Sequence, residues 1–278
     1  MGFRCGIVGL PNVGKSTLFN ALTKGSALIS SSIGEPSHTN IGVVKINDQR
    51  LNRLSKIFDT RRSRSAEITY VDWSTSPDTS SQGIGMGAES LNLLQGTDAL
   101  LLVVRAFENP SVAHLEVSID PFRDLNSVLS ELALADMSII ERRITRLQRE
   151  IKGTKALERQ AIDGEMAFID KLKTSLESGR AVRDQSVTES ESLLIKGFSL
   201  LTTKPLIITA NIGERDLSRV PAIEEKLYTE FNGPRTRTAA LCGSLEMELA
   251  QMPPDEEQEF RAALSGEDKP GLDRMIDL

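Results

Sequence analysis

Short apolar runs of strand length alternate with segments of helical periodicity along most of the chain. Runs bounded by turn residues predict β-strands, whereas apolar residues that recur every three or four positions predict helices. The predicted strands comprise residues 4–8, 41–46, 67–72, 99–104, 205–211 and 238–242. The predicted helices comprise residues 17–22, a short helix ending at 57, and 88–95, 189–200, 221–230, 245–251 and 255–264. This alternation predicts an α/β fold, a mainly parallel sheet with helices on both faces.

Between residues 121 and 201 the pattern changes from strands to helices alone. One apolar series with three- and four-residue steps covers 132–151, and a second covers 157–176. The break at 152–154 predicts two amphipathic helices that form an antiparallel, coiled-coil hairpin and cover each other's apolar stripes. The hairpin is predicted to be an insertion in a discontinuous α/β domain. The predicted division is 127–199 for the hairpin, and 1–126 with 200–278 for the α/β domain.

Composition excludes several classes of protein. The 278 residues are 39% hydrophobic, which is enough for a core, and the net charge of −6 argues against a protein that coats nucleic acid with its whole surface. The basic stretches 61–64 and 142–155 are more often found on solvated faces. No apolar run approaches the ~20 residues of a membrane span, and the first strand leaves no room for a signal peptide, so we expect a cytoplasmic protein without membrane contact. Cys5 and Cys242 are expected to be buried, reduced thiols.

The stretch that carries chemistry lies between the first predicted strand and the first predicted helix. Residues 9–17 read Gly-Leu-Pro-Asn-Val-Gly-Lys-Ser-Thr and fit the pattern G-x-x-x-x-G-K-[ST]. Glycines at both ends let successive backbone N–H groups curl around a phosphate, and the following helix turns its positive end toward the same point. Lys15 is expected to reach the β and γ phosphates of a nucleoside triphosphate, and Ser16 to ligate Mg²⁺. The expected phosphate-binding residues are Asn12, Val13, Gly14, Lys15, Ser16 and Thr17. A chance glycine turn is the alternative, and the order of strand, loop and helix argues against it.

Several further segments, together with this loop, resemble the YchF-type proteins of the Obg-related P-loop NTPases. The similar segments are residues 5–17, 40–44, 107–109, 120–121, 131–136 and 204–214. The resemblance implies a G-domain-like fold, with Mg²⁺ and either ATP or GTP as ligands. The family continues into a small β-rich TGS domain, which we expect to be lacking because the sequence stops where it would begin. The basic helical hairpin is then the surface expected to contact the ribosome or RNA.

The base-recognition loop is the most discriminating site of this resemblance. A GTPase normally has N-K-x-D there, and its Asp accepts two hydrogen bonds from guanine. Residues 211–214 read Asn-Ile-Gly-Glu, which matches the family's N-x-x-E departure and implies a preference for ATP. The resemblance therefore assigns base contacts to Asn211, Ile212 and Glu214, beside backbone N–H groups of 242–244. The alternative is a capped strand-to-helix turn in which Glu214 is merely exposed.

His114 is one of two histidines in the chain. A lone histidine in a loop is more often a surface residue. In the family, however, a histidine a few residues after Phe-Glu-Asn, here residues 107–109, replaces the glutamine that orients water in other GTPases. The resemblance implies a catalytic role for His114 beside Lys15, and the surface alternative stays open.

Both nucleotide-sensing switches depart from the family pattern. Asp72 ends its strand as the Asp of D-x-x-G and is expected to hold magnesium, directly or through water, together with the loop serine. The Gly of that motif is Thr75 here. In the first switch, Pro36 stands where a magnesium-ligating Thr is expected, and Ser37 or Thr39 is the substitute. We therefore expect nucleotide binding to survive better than hydrolysis.

These expectations favour an ATP-binding P-loop NTPase, with GTP as the other candidate nucleotide, that hydrolyses slowly and acts as a nucleotide-controlled switch. The first alternative is a nucleotide-binding interaction module without turnover, which the altered switches favour. The second is a small-molecule P-loop kinase, which would need an acceptor pocket and lid arginines that the helical hairpin supplies poorly.

Overall fold

The structure, a computed structural model, describes residues 2–25, 39–46, 48–60, 63–73, 88–112, 118–153, 156–265 and 271–277. The strands are β1 (Phe3–Val8), β2 (Thr39–Lys45), β3 (Glu67–Trp73), β4 (Ala99–Ala106), β5 (Leu206–Ile212) and β6 (Thr236–Leu241). The helices are α1 (Lys15–Thr23), α2 (Gln49–Ile57), α3 (Ala88–Gln95), α4 (Pro121–Glu150), α5 (Ala156–Glu177), α6 (Glu189–Phe198), α7 (Val220–Glu230), α8 (Gly243–Leu249), α9 (Pro254–Ser265) and α10 (Gly271–Asp277). All the strands predicted from the sequence are present, with shifted ends.

One six-stranded sheet organises these elements in the order β2-β3-β1-β4-β5-β6. The pairs β3–β1, β1–β4, β4–β5 and β5–β6 are parallel, whereas β2 pairs with β3 in the antiparallel direction. The predicted mainly parallel sheet is therefore confirmed, and the antiparallel edge strand is a feature that the sequence pattern did not indicate. Because β1, β3, β4 and β5 run the same way, their carboxyl ends meet at one edge of the sheet, where ligands of such folds bind.

The main core fills the space between the sheet and its helices. β4 is buried along nearly its whole length, and Leu100 and Leu102 are fully inaccessible to solvent. Such a continuous apolar run is typical of a central parallel strand that is covered on both faces. Cys5 and Cys242 belong to this core and are unpaired thiols, as expected from their apolar surroundings.

The segment after β4 forms the predicted pair of helices. α4 begins at an Asp120 cap, whose side chain accepts hydrogen bonds from the backbone N–H groups of Phe122 and Arg123, both at 3.1 Å. Arg143 of α4 forms an ion pair with Glu165 of α5 at 2.7 Å, and Glu141 lies 3.4 Å from Lys173. Between these two ion pairs the residue number falls on α4 as it rises on α5, so the two helices are antiparallel.

A second hydrophobic core holds the helical hairpin together. Its buried members are Ile140, Leu147, Phe168, Ile169, Leu172, Leu176, Val182 and Leu200. α4 also supplies Leu125, Val128 and Leu132 to the main core, so this one continuous helix belongs to both. The domain boundary predicted at 126/127 falls inside α4, and the division into two domains stays a prediction.

A buried carboxylate ties α4 to the chain that leads into β5. Asp136 is fully buried and accepts hydrogen bonds from Leu201 N at 2.8 Å, Thr202 N at 2.7 Å and Thr202 Oγ1 at 2.6 Å. Burial raises the pKa of Asp136, while these hydrogen bonds oppose the rise. The carboxylate thereby satisfies two backbone donors that have no access to water.

We expect Asp136→Ala to lower the free energy of unfolding by roughly 2–4 kcal/mol, because it leaves buried backbone donors unpaired. Urea denaturation of the nucleotide-free protein measures the change. Asp170→Ala, which replaces an exposed carboxylate of α5, is the control and should change stability little. A loss below about 1 kcal/mol would show that water reaches these N–H groups after the substitution.

The carboxyl-terminal part of the chain contains one helix more than the sequence pattern indicated. α9 corresponds to the predicted acidic helix, and α10 is additional. α10 packs on β6 through Met275, which is 2% exposed and accepts a hydrogen bond at its sulfur from Thr209 Oγ1 of β5. None of the helices that the structure describes contains an apolar stretch of membrane-spanning length.

Candidate functional site

The glycine-rich loop joins the carboxyl end of β1 to the amino terminus of α1. Two of its glycines adopt backbone conformations that other residues rarely take, with φ of 152° at Gly9 and 94° at Gly14. A Cβ atom at Gly9 would meet the carbonyl oxygen of Val103, and one at Gly14 would meet Nδ2 of Asn211. Asn12 also has a positive φ of 61°. The spacing of the motif is therefore required by the path of the backbone.

Lys15 lies inside the curve of this loop. Its Nζ donates hydrogen bonds to the carbonyl oxygens of Gly9 at 3.1 Å and Leu10 at 2.8 Å, and the residue is only 7% exposed. Burial lowers the pKa of Lys15 to about 8, and the nearby charge of Asp72 partly offsets the effect. Within the described residues the hydrogen-bond partners of Lys15 are these two carbonyls, and a desolvated ammonium group of this kind gains strongly from an anion placed in the loop.

The two residues predicted to hold magnesium are in contact. Ser16 Oγ donates a 2.7 Å hydrogen bond to Asp72 Oδ2, and the same oxygen accepts a 3.2 Å hydrogen bond from Asn40 Nδ2. Asn40 stands opposite Asp72 in the β2–β3 register, and sequence reasoning gave it no role. The antiparallel pairing brings it to the site, and the available sequence signal was its place in segment 40–44, which resembles the family.

Asp72 offers an oxygen that fits a bound cation. The residue is fully buried, and its Oδ1 has no hydrogen-bond partner within the part of the chain that the structure describes. A buried, unpartnered carboxylate oxygen beside a serine hydroxyl suits Mg²⁺, which binds proteins through one or two such oxygens and completes its shell with phosphates and water. No group of three His, Cys, Asp or Glu side chains among the described residues forms a metal site by itself.

Asn211 connects the phosphate loop to the loop after β6. Its Nδ2 donates to the carbonyl oxygen of Val13 at 2.9 Å, and its Oδ1 accepts from the N–H of Gly243 at 2.9 Å. The side chain is thus used to join two loops, and the Gly243 N–H is already bonded to it. Ile212 is 2% exposed and belongs to the core, whereas Glu214 is exposed at the start of a 3₁₀ turn.

Other predicted residues fall outside the described part of the chain. These residues are Pro36, Ser37, Thr75 and His114. Thr39, the other substitute magnesium ligand, is exposed at the start of β2. The chain before His114 is organised by Arg105, which is 1% exposed. The Arg105 guanidinium donates to the carbonyl oxygens of Phe107, Asn109 and Val112 at 3.1–3.2 Å.

The site combines a phosphate-binding loop between a central parallel strand and a helix, a lysine inside this loop, and a Ser–Asp pair at the neighbouring strand. This combination defines a P-loop NTPase of the G-domain type. Comparison with known proteins gives the same class of protein. A family model described as "50S ribosome-binding GTPase" matches residues 4–142.

Relatives extend the similarity to almost the whole chain. The ribosome-binding ATPase YchF of Pasteurella multocida is 37% identical over 277 residues, which cover 99% of this chain and 74% of the relative. Its counterpart in Bacillus subtilis is 34% identical, with 99% and 75% covered. A solved structure of the YchF GTPase of Schizosaccharomyces pombe superimposes with a TM-score of 0.79 at 28% identity and covers 99% of this chain and 74% of that chain. The chain belongs to the YchF family.

The lowered pKa of Lys15 predicts a pH dependence of nucleotide affinity. Only the ammonium form pairs with phosphate, so affinity should fall up to about tenfold per pH unit above pH 8, until the pH reaches the pKa of Lys15 in the complex. Calorimetric titration with ADP between pH 7 and 10, in two buffers of different ionisation enthalpy, should show proton uptake near pH 9. An affinity independent of pH across this range would contradict the prediction.

The lowered pKa of Lys15 also affects the free energy of unfolding. Because the pKa of Lys15 is lower in the folded protein than in the unfolded chain, the folded protein loses this proton first as the pH rises. Between pH 8 and about 10.5 the unfolded chain therefore binds more protons, and Lys15 makes the free energy of unfolding of the nucleotide-free protein increase with pH. The contribution is measured as the difference between parallel denaturation curves of the natural sequence and Lys15→Met, because burial raises the pKa of Cys5 to about 12 and gives that thiol the opposite effect.

Proposed function

We propose that the chain is a magnesium-dependent nucleoside triphosphatase that prefers ATP to GTP, hydrolyses slowly, and works in the cytoplasm as a nucleotide-controlled switch. The observation that carries this proposal is the buried Lys15 ammonium in the loop, next to the Ser16–Asp72 pair. The names of the relatives support a nucleoside triphosphatase, since two are called ATPases and one a GTPase.

Different residues would stabilise charge, hold the metal ion and orient water during phosphate transfer. Lys15 and the loop N–H groups stabilise the negative charge that builds on the oxygen between the β and γ phosphates. Ser16 and Asp72 would hold Mg²⁺, and this ion supplies charge neutralisation on the phosphates. Asn40 orients the Asp72 carboxylate through the hydrogen bond to Oδ2. His114 is proposed to orient the attacking water, as in the family.

Single-turnover phosphate release decides between this function and its alternative, an interaction module that binds nucleotide without turnover. That alternative is favoured by Pro36 and Thr75, which replace a magnesium ligand and a γ-phosphate contact of the family. The expected result is slow release by the intact chain and a further loss of about tenfold to a hundredfold for His114→Ala. Tight ATP binding with no release above the uncatalysed rate would reject the hydrolase.

The preference for ATP rests on Glu214, which occupies the place of the guanine-selecting Asp. It follows Asn211 by three residues, is exposed, and makes no ion pair with another described residue. Its side chain is one methylene longer than Asp, which displaces the two acceptors that guanine requires. Competition between ATP and GTP for the magnesium-dependent site should favour ATP in the natural sequence, and Glu214→Asp should shift the ratio toward GTP. Glu230→Asp, an exposed position on α7, is the matched control.

Contact with the ribosome or RNA is proposed for the basic face of the hairpin. Ion pairs already engage part of this charge: Arg143 pairs with Glu165, and Arg146 with Glu150 at 3.1 Å. Arg142 and Arg149 are exposed and remain as candidates for phosphate contacts. Cosedimentation with ribosomes at increasing salt tests the proposal, because replacing both arginines with Gln should weaken binding and flatten its salt dependence. Binding that is unaffected by both changes would exclude this face.

A further inference from the structure

A cavity of about 370 Å³ lies at the end of the sheet opposite to the phosphate loop. Its floor is one sheet face near the amino ends of the parallel strands. The strand register places Cys5 between Tyr70 and Ala99, and Ile207 between Leu101 and Arg237. One side wall is formed by Met275 and Ile276 of α10. The cavity is therefore built by the sheet and the helix that the sequence pattern did not indicate.

The chemistry of the cavity is apolar with positive charge at its rim. Arg235 and Arg237 are exposed residues that line the cavity beside the apolar floor. Their guanidinium groups donate hydrogen bonds to backbone carbonyls: Arg235 Nη1 to Thr203 O at 3.3 Å, and Arg237 Nη1 to Thr236 O at 2.8 Å. No carboxylate of the described residues forms an ion pair with either arginine, although the chain carries a net charge of −6.

We propose that this cavity binds an amphipathic organic anion, with an apolar body of roughly ten to fifteen carbon atoms and one acidic head group at the two arginines. A cavity of about 150 Å³ accommodates benzene, so 370 Å³ suits a body about two and a half times as large. Small-molecule pockets generally combine mostly apolar walls with a few polar groups that fix orientation. A medium-chain fatty acid and a fused-ring aromatic acid share this chemistry.

Calorimetric titration of the full chain with decanoate, 2-naphthoate and uncharged decanol tests the proposal. One saturable site for an acid is expected. Replacing both rim arginines, Arg235→Gln with Arg237→Gln, should weaken binding of the acid about tenfold or more and leave decanol unchanged. The matched control is Arg53→Gln, an exposed arginine on α2, which should leave binding of the acid unchanged. Tighter binding of decanoate would identify a flexible chain as the ligand body, and tighter binding of naphthoate a rigid ring.

A second variant tests the cavity itself. Ala99 is 5% exposed and lines the floor, so Ala99→Leu should fill space and weaken all three ligands. The arginine variant alters only exposed side chains, and it keeps the test decisive if Ala99→Leu does not fold. Absence of saturable acid binding, or binding that survives the arginine replacements, would overturn the proposal. ATP affinity should remain constant in all variants, because the cavity and the phosphate loop lie at opposite ends of the sheet.

Discussion

Lys15→Met should reduce single-turnover hydrolysis of ATP by about a hundredfold or more while the nucleotide-free protein stays folded. The ammonium group lies inside the phosphate loop, where it donates hydrogen bonds to two backbone carbonyls at 2.8 and 3.1 Å. Met keeps the length and the apolar stem of the side chain but removes the charge. Rapid-quench measurement of phosphate release at saturating protein reports the chemical step.

The fold of this variant can be checked independently of its activity. Since burial disfavours the charged form of Lys15, its loss should leave the stability of the nucleotide-free protein at pH 7 equal to or above that of the natural sequence. Lys24→Met, at an exposed lysine just after α1, is the control and should keep full hydrolysis. Release unchanged by Lys15→Met would mean that phosphate is not bound in this loop.

Gly14→Ala should produce the second large effect, a loss of nucleotide affinity of about tenfold or more. The substitution combines an unfavourable φ of 94° with a collision between the new Cβ and Asn211 Nδ2, and local strain of this kind costs about 1–3 kcal/mol. Relief of the collision would break the hydrogen bond from Asn211 to Val13 and so separate the phosphate loop from the loop after β6. Fluorescent-nucleotide titration measures the loss.

A control and a double variant make this prediction specific. Gly164→Ala lies in α5, where a new Cβ meets nothing within 4 Å, and it should be neutral or slightly stabilising. Combining Gly14→Ala with Asn211→Ala should cost less than the sum of the two changes, since the collision is then gone. Strict additivity would indicate that the backbone angle alone causes the loss.

The phosphate loop and the parallel sheet could be predicted because their signals are local. The motif at residues 9–17 and the apolar run of β4 need no partner to be recognised. Asn40 at Asp72 and the Asn211 bridge depend on contacts between residues distant in the chain, so no spacing rule reveals them. α10 was missed although Leu272, Met275 and Ile276 stand at helical spacing, and what fixes it is a contact of Met275 with Thr209, which is distant in the chain.

Because α4 belongs to both the main core and the hairpin core, a tilt of this helix moves the hairpin relative to the sheet. The helix has 30 residues and, at about 1.5 Å per residue, extends roughly 45 Å. The helix is attached near its middle by Asp136, which is hydrogen-bonded to the chain that leads into β5. Glu150 lies 14 residues beyond Asp136, about 21 Å at that rise, so a tilt of about 10° about Asp136 would displace it by roughly 4 Å. Such a tilt moves the face of the hairpin that is proposed to contact the ribosome, since Arg149 stands at this end of α4.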